Sequence, residues 1–211
     1  MADESETTSR LIAQLRGGED DALAELFTNY RDRLKRIVRF RLDYRLAGRI
    51  SESDVIQESY LSARQRADYY RGKPEMPFFV WLRLIVNQKL VDLHRQHLQA
   101  EMRDARKEIS IDQPAVSPHT SLAMAAHLVG QATSPSRAFS RVERIATLEE
   151  ALNQMEPIDR EVIALRHFEE LTNTEVATVL DIDVQAASKR YVRAIKRMKE
   201  IVSAIPGFDE V

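Results

Sequence analysis

The apolar residues of this chain recur mainly at intervals of three and four positions. That spacing places them on one face of an α-helix, and it is clearest within residues 23–42, 55–67 and 78–93. No segment shows sustained alternation of apolar and polar residues, which is the pattern of a half-buried strand. The sequence therefore predicts an all-α fold, in which residues 1–98 form a first helical domain.

A change of composition follows this first domain. Residues 113–136 contain three prolines and no Asp, Glu, Lys or Arg. We interpret residues 99–145 as a flexible linker that holds a short helix around residues 122–129. Helical spacing then predicts a second domain over residues 146–203, followed by a tail over residues 204–211.

The second domain has the pattern of a helix-turn-helix. Residues 172–175, Thr-Asn-Thr-Glu, match a capping box that begins one short helix, and Asp183 is placed to cap the next. The buried stripe of that next helix is predicted to be Val184, Ala187, Tyr191, Ile195 and Met198. Its opposite face presents Gln185, Ser188, Lys189, Arg193 and Lys196. Such a helix suits the major groove of DNA, and the alternative is an amphipathic helix with a solvated basic face.

The charge distribution favours the DNA interpretation. The net charge of the whole chain is only −2, but residues 184–199 contain six bases and no acid. The first 26 residues contain seven acids and two bases. Because affinity for a polyanion depends on the local field, contact with DNA is predicted at the C-terminal end.

Several classes of function are not favoured by the sequence. The chain has no cysteine, which excludes disulfides and thiolate metal sites. No apolar run approaches the roughly 18 residues that span a bilayer, and the acidic N-terminus does not resemble a signal peptide, so we expect a cytoplasmic protein without membrane insertion. His94 and His97 lack a third ligand at useful spacing and are expected at an exposed helix end. No phosphate loop or nucleophile elbow is present, so we expect no metal, no cofactor and no enzymatic activity.

A loop rich in aromatic and cationic residues lies within residues 69–81. Single-stranded DNA is bound by stacking bases on aromatic rings while cations contact the backbone. The alternative is that these aromatic residues belong to the hydrophobic core, and for Phe78 and Trp81 we favour that alternative.

The helix-turn-helix carries a resemblance to a known family. Residues 165–177, LRHFEELTNTEVA, and 187–194, ASKRYVRA, resemble region 4 of the extracytoplasmic-function (ECF) group of sigma-70 factors. The resemblance implies recognition of the −35 promoter element. The residues implied for that contact are Arg166, Gln185, Ser188, Lys189, Arg193 and Lys196. The family usually has glycine where Glu170 and Asp181 stand; Asp tolerates a left-handed turn conformation, whereas Glu170 adds negative charge near the DNA side.

The first domain resembles region 2 of the same family. Residues 54–58, DVIQE, are similar to its polymerase-clamp helix, which implies that Asp54, Gln57 and Glu58 bind polymerase. Asp54 also completes a capping box with Ser51, and the two roles are compatible. The loop resembles the segment that captures a flipped base of the −10 element. The residues implied there are Arg71, Lys73, Phe78, Phe79, Trp81, Arg83 and Asn87.

The resemblance implies a sigma factor that binds core RNA polymerase and promoter DNA and is a monomer when free. An anti-sigma factor is common in the family, and nothing in the sequence identifies one. The basic run over residues 31–49 is interpreted equally well as solvated helix charge or as a contact with polymerase or DNA. Two rival functions remain: a dimeric helix-turn-helix regulator that acts without polymerase, and a helical enzyme or scaffold with incidental basic helices.

Overall fold

The computed structural model of the chain describes residues 2–46, 48–98, 119–132 and 138–205. These residues form helices and contain no β-strand, which confirms the all-α prediction. The α-helices are α1 (Ala2–Arg16), α2 (Ala22–Arg41), α3 (Glu52–Gln65), α4 (Ala67–Arg71), α5 (Phe78–Leu98), α6 (Thr120–Ala132), α7 (Ala138–Leu152), α8 (Pro157–Ile163), α9 (Asn173–Leu180) and α10 (Val184–Ser203). A π-helical segment, Ala164–Phe168, directly follows α8.

The chain divides into two compact units. Unit 1 comprises Met1–Arg39 and Leu46–Ile111, and unit 2 comprises Phe40–Arg45 and Asp112–Val211. The sequence assigns residues 40–45 to the first domain and residues 112–145 to the linker, so the division differs from the predicted one.

Helix α6 explains part of this difference. Its Met124, Ala125 and Val129 are fully buried in the core of unit 2. Within α6, the absence of charged residues, which we interpreted as the sign of a linker, therefore reflects burial of one side of the helix. The predicted short helix around residues 122–129 is confirmed.

The core of unit 1 is built from the apolar faces of α2, α3 and α5, together with α1 and α4. Tyr70 stacks on Trp81 with ring centroids 4.8 Å apart, and Phe78 meets Tyr70 edge-on at 5.4 Å. Phe78 and Trp81 are only 3% and 1% exposed, which confirms that both belong to the core. Burial of a large apolar side chain contributes about 1.5–3 kcal/mol, so this cluster holds α4 against the start of α5.

The core of unit 2 surrounds the ring of Phe168, at the end of the π-helical segment. Phe40 stacks on Phe168 at a centroid distance of 4.6 Å, and His127 meets it edge-on at 5.0 Å. Leu148 and Ala194 complete this core from α7 and α10. The core thereby fixes α10 on the unit and determines which of its faces remains exposed.

Candidate nucleic-acid interface

The two helices of the helix-turn-helix begin at side-chain caps that were predicted from the sequence. Thr172 Oγ1 accepts a hydrogen bond from the Glu175 N–H at 3.2 Å, and Glu175 Oε2 accepts one from the Thr172 N–H at 2.8 Å. Asp183 Oδ1 accepts hydrogen bonds from the N–H groups of Gln185 at 2.7 Å and Ala186 at 3.3 Å. Each cap satisfies N–H groups that have no partner within their own helix, and this fixes where α9 and α10 start.

The turn between the helices contains a residue in the left-handed conformation. Asp181 has φ 52° and ψ 51°, and Glu170, just before α9, has φ 57°. These are the two positions at which the resembling family usually has glycine. The backbone conformation supplies the physical reason, because only glycine adopts positive φ without steric cost.

The face of α10 that packs into unit 2 differs at one position from the predicted stripe. Ala187 and Ala194 are buried, and Tyr191, Ile195 and Met198 are partly buried. Val184, however, is 42% exposed, so its assignment to the stripe is wrong. Val202, 18 residues later and so at the same angular position at 3.6 residues per turn, is buried, and Val184 is therefore exposed because it is the first residue of α10 and not because of the side it occupies.

The opposite side of α10 is exposed and basic. Gln185, Lys189, Arg193 and Lys196 are exposed there, and Ser188 is partly buried. We name as the cationic face the four basic residues Lys189, Arg193, Lys196 and Lys199, none of which forms a salt bridge with another described residue. Unpaired cations on one helix face can neutralise several phosphates of a nucleic-acid backbone.

Two other arginines of α10 are engaged within unit 2. Arg190 Nη1 lies 2.6 Å from Asp159 Oδ1 and 3.4 Å from Glu156 Oε2, and the hydrogen bond to Asp159 raises the pKa of Arg190. Arg197 pairs with Glu200 at 3.5 Å. The six bases found in the sequence therefore comprise two paired arginines and the four members of the cationic face.

Arg166 is partly buried beside the helix-turn-helix. Its Nη1 donates to the carbonyl oxygen of Leu171, and its guanidinium carbon lies 5.6 Å from the centre of the Tyr191 ring. Among the described residues, nothing accepts a hydrogen bond from its buried Nε. Arg166 thus supports the turn that leads into α9, and its contact with phosphate stays a prediction.

Unit 2 contains a buried charge cluster that the sequence did not indicate. Arg41 Nη2 lies 2.5 Å from Glu161 Oε1, and Arg41 Nε donates to Glu169 Oε1 at 2.6 Å. The Thr120 hydroxyl donates to Glu161 Oε2 at 2.6 Å. Burial lowers the pKa of Arg41, but the two carboxylates outweigh this effect and raise it above its ordinary value. No local signal could have identified this cluster, because its members are scattered between residues 41 and 169.

Helix α3 of unit 1 displays the residues that were predicted to bind polymerase. Asp54, Gln57 and Glu58 are exposed, and Leu61 on the same side is 51% exposed. We name these four residues the outer face of α3. Sequence reasoning missed Leu61, which periodicity alone could have placed there.

The polar side chains at the start and on the outer face of α3 differ in whether they already form hydrogen bonds or salt bridges within unit 1. Ser51 caps the helix by accepting from the Ser53 N–H at 3.2 Å, and the Asp54 carboxylate forms no hydrogen bond with a described residue. Glu58 Oε2 forms a salt bridge with Lys89 Nζ at 2.6 Å. The capping role considered for Asp54 is therefore wrong, and its carboxylate remains available to a partner.

The aromatic and cationic loop is anchored by two arginines. Arg16, which sequence reasoning missed, donates through Nη2 to the carbonyl oxygens of Pro74 at 2.6 Å and Met76 at 3.4 Å. Arg71 Nε donates to the Leu15 carbonyl at 3.1 Å, and its guanidinium also pairs with Asp20 and Asp68. These contacts join the loop to α1.

Other residues implied for the −10 element lie inside unit 1. Phe79 is 2% exposed and Arg83 is fully buried. With the Asn87 amide oriented to accept, Arg83 donates to its oxygen at 3.0 and 3.3 Å. Arg33 of the basic run covers the Phe79 ring at 3.5 Å. In this structure Lys73 is exposed and Arg71 partly exposed, whereas Phe78, Phe79, Trp81 and Arg83 are covered.

The histidine pair behaves differently from the prediction. His94 is only 6% exposed, so the expectation of an exposed helix end is wrong for this residue. It lies on the side of α5 that also buries Leu90, one turn earlier, and its position is set by packing. The described residues contain no group of three or more metal-ligating side chains, and none of their helices could cross a membrane.

Comparison with known proteins identifies the family. A sequence model of the ECF sigma factor family matches residues 5–202. The chain is 24% identical to the ECF RNA polymerase sigma factor SigW of Bacillus subtilis strain 168 over 190 residues, which cover 90% of this chain and 93% of SigW. It is 27% identical to the RNA polymerase sigma-H factor of Pseudomonas aeruginosa strain PAO1 over 190 residues, which cover 90% of each chain.

A solved structure shows the same fold. CnrH, in complex with the cytosolic domain of CnrY, is similar with a TM-score of 0.52 and 22% identity over 94% of this chain and 98% of CnrH. Since the family match extends over nearly the whole sequence, this chain belongs to the ECF sigma factor family.

Proposed function

We propose that this chain binds core RNA polymerase and directs it to promoters by recognising their −35 and −10 elements. The observation that carries the proposal is the cationic face of α10, which follows a capped turn in a helix-turn-helix. In such motifs the second helix enters the major groove with its N-terminal residues near base edges. Gln185 lies at that end of α10, and Lys189 and Arg193 follow it on the exposed side.

Replacement of Lys189 or Arg193 by alanine tests the −35 contact. A lost contact to a base should weaken recognition by about 1–3 kcal/mol, which is roughly 5- to 150-fold in affinity. The measurement is transcription by the reconstituted holoenzyme from a native promoter and from the same promoter with a scrambled −35 element. Arg197→Ala is the matched control, because Arg197 is on the same helix but is paired with Glu200. Unchanged transcription in both variants would refute the assignment.

We propose the outer face of α3 as the polymerase-binding surface. Its exposed carboxylates and amide can hydrogen-bond a partner, and Leu61 adds an apolar contact. Replacing Gln57 by alanine should weaken binding to core polymerase, whereas Gln96→Ala, an exposed glutamine on α5, should not. Binding is measured by titration of labelled protein with core polymerase. Equal losses in both variants, or none in Gln57→Ala, would contradict the assignment.

The −10 element is proposed to meet the loop that Arg16 and Arg71 anchor. Arg71 and Lys73 lie at its surface, where cations can contact the backbone of a single strand. The buried residues Phe78, Phe79, Trp81 and Arg83, with Asn87, support the loop from the core of unit 1.

The free energies of strand opening and base capture explain why the protein needs polymerase to open a promoter. Opening about ten base steps costs roughly 14 kcal/mol, whereas capture of one or two bases returns about 2–6 kcal/mol. The free protein should therefore bind promoters without melting them. Strand opening should require the holoenzyme, and permanganate reactivity of unpaired thymines measures it.

The remaining expectations concern the state of the free protein. We propose a cytoplasmic monomer without enzymatic activity of its own, whose DNA- and polymerase-binding faces can be covered by a regulatory protein. Gel filtration and a pull-down with core polymerase distinguish this proposal from the rival regulator. A stable dimer that ignores core polymerase would favour a conventional helix-turn-helix regulator.

A further inference from the structure

Four large apolar side chains of the described residues are exposed to solvent, and Val192, at 65%, is the most exposed of them. It lies on the exposed side of α10, three residues after Lys189 and four before Lys196, so the two lysines flank it on adjacent turns. A β-branched residue is a weaker helix former than lysine, glutamine or alanine. Neither burial nor helix propensity therefore accounts for valine at this position.

We infer that Val192 contacts the methyl group of a thymine within the −35 element and helps to determine which sequences the protein recognises. The inference rests on the proposed function of α10. The thymine methyl is the apolar group that a base pair presents in the major groove, and small apolar side chains contact it there.

The surroundings of Val192 favour DNA over a protein surface. The stretch from Val184 to Lys199 has no acidic residue, and the cationic face surrounds the valine with unpaired positive charge. A nucleic acid offers the opposite charge together with an apolar methyl group. Val192 also lies about 10 Å along the helix axis from Gln185, which is less than the roughly 12 Å width of the groove. The two side chains can thus reach different base pairs, at most about three pairs apart at 3.4 Å per pair.

Substitution of deoxyuridine for thymine tests this contact, because it removes only the methyl group. The holoenzyme is reconstituted from the full chain and core RNA polymerase, and its preferred −35 sequence is selected from a randomised duplex. Each thymine of the selected element, on either strand, is then replaced singly by deoxyuridine. We expect one thymine whose replacement weakens binding about fourfold, the factor that loss of one buried methyl group gives at about 0.8 kcal/mol.

The variant Val192→Ala should lose the sensitivity to deoxyuridine at that position. No other position of the element should become sensitive in its place. Its folding is not at risk, since alanine is the better helix former and the site is exposed. Val142→Ala is the matched control: Val142 is 53% exposed on α7, outside the helix-turn-helix, and its replacement should leave the thymine preference intact.

Three results would overturn the inference while leaving the proposed function standing. They are a selected −35 element without thymine, binding that depends on Lys189 but on no thymine methyl, and a fourfold effect that persists in Val192→Ala. Weakened binding of Val192→Ala to core polymerase with unchanged DNA selectivity would also overturn it, because the valine would then face a protein. Failure of the holoenzyme to select any −35 sequence would overturn both.

Discussion

Replacement of Arg41 by alanine should destabilise unit 2 by several kcal/mol. The Arg41 side chain is 6% exposed, and Glu161 and Glu169, which it pairs with, are fully buried. The variant leaves two buried carboxylates without this cation. Breaking a buried ion pair from one side costs about 3–5 kcal/mol, because the remaining charge is desolvated without compensation.

Arg39, two residues earlier on α2, provides a matched comparison within unit 1. Its side chain is 65% exposed, and its Nε lies 2.9 Å from Glu52 Oε2. An exposed pair of this kind is worth about 0.2–1 kcal/mol, so Arg39→Ala should change stability little. Two arginines of one helix are thus predicted to differ severalfold in their contribution.

Amide hydrogen exchange measured by mass spectrometry resolves the two units in one experiment. A loss of 3–5 kcal/mol should accelerate the slowest exchange in α8 and α10 by about two to four powers of ten. Exchange in α3 and α5 serves as the internal reference for Arg41→Ala. Acceleration of less than about fivefold in α8 and α10 would refute the reasoning.

A compensated variant separates charge from packing. Arg41→Met combined with Glu161→Gln and Glu169→Gln removes all three charges while nearly preserving volume. It should recover part of the loss caused by Arg41→Ala, because no uncompensated charge remains buried. Exchange as fast as in Arg41→Ala would show that the lost packing of the arginine stem, and not charge, dominates.

The remaining predictions concern the turn of the helix-turn-helix and the response to pH. Asp181→Gly should raise the free energy of unfolding by about 0.5–1.5 kcal/mol, and with it the melting temperature, because it relieves a positive φ and removes a carboxylate from the C-terminus of α9. Asp183→Ala should lower the free energy of unfolding by about 1 kcal/mol, because the α10 cap is lost. Equal changes of the melting temperature, in the same direction, in both variants would contradict the argument from backbone conformation. Packing against Phe40 and Phe168 partly desolvates the His127 ring, and this effect, with a smaller one from nearby His167, lowers the pKa of His127, so the unfolded chain binds a proton at this residue at a higher pH than the folded chain does. Stability should therefore be retained above the ordinary histidine pKa of about 6.5 and decline as the pH falls through that value. In His127→Leu the melting temperature should change less with pH between roughly pH 7.5 and 5.5. A decline of the same size in the variant would exclude His127, and His119, whose pKa is also lowered by burial, would then be its source.

Features that depend on neighbours within about four residues could be predicted from the sequence. The caps at Thr172 and Asp183 are such features, because a side chain next to a helix start bonds N–H groups two or three positions away. The exposure of Lys189, Arg193 and Lys196 is another, since the period of the helix decides which residues share a side. The resemblance to the ECF group drew on these same local patterns.

Features that depend on packing against distant parts of the chain could not be predicted. His94 was expected to be exposed and is buried. Helix α6 was interpreted as part of a linker, although its uncharged sequence is that of a buried helix. In both cases the local sequence fits two environments equally well, and only the surrounding helices distinguish them.

The sequence by itself thus determined that this protein is helical, where its helix-turn-helix begins and turns, and which side of α10 carries the basic residues. The tertiary structure alone decided that Arg41 meets Glu161 and Glu169, that Arg16 holds the loop of unit 1, and that the cations beside Val192 form no salt bridge with a described residue. The physical reason is range. Helix periodicity and capping act over a few residues, whereas burial and ion pairing act between side chains that are brought together only when the chain has folded.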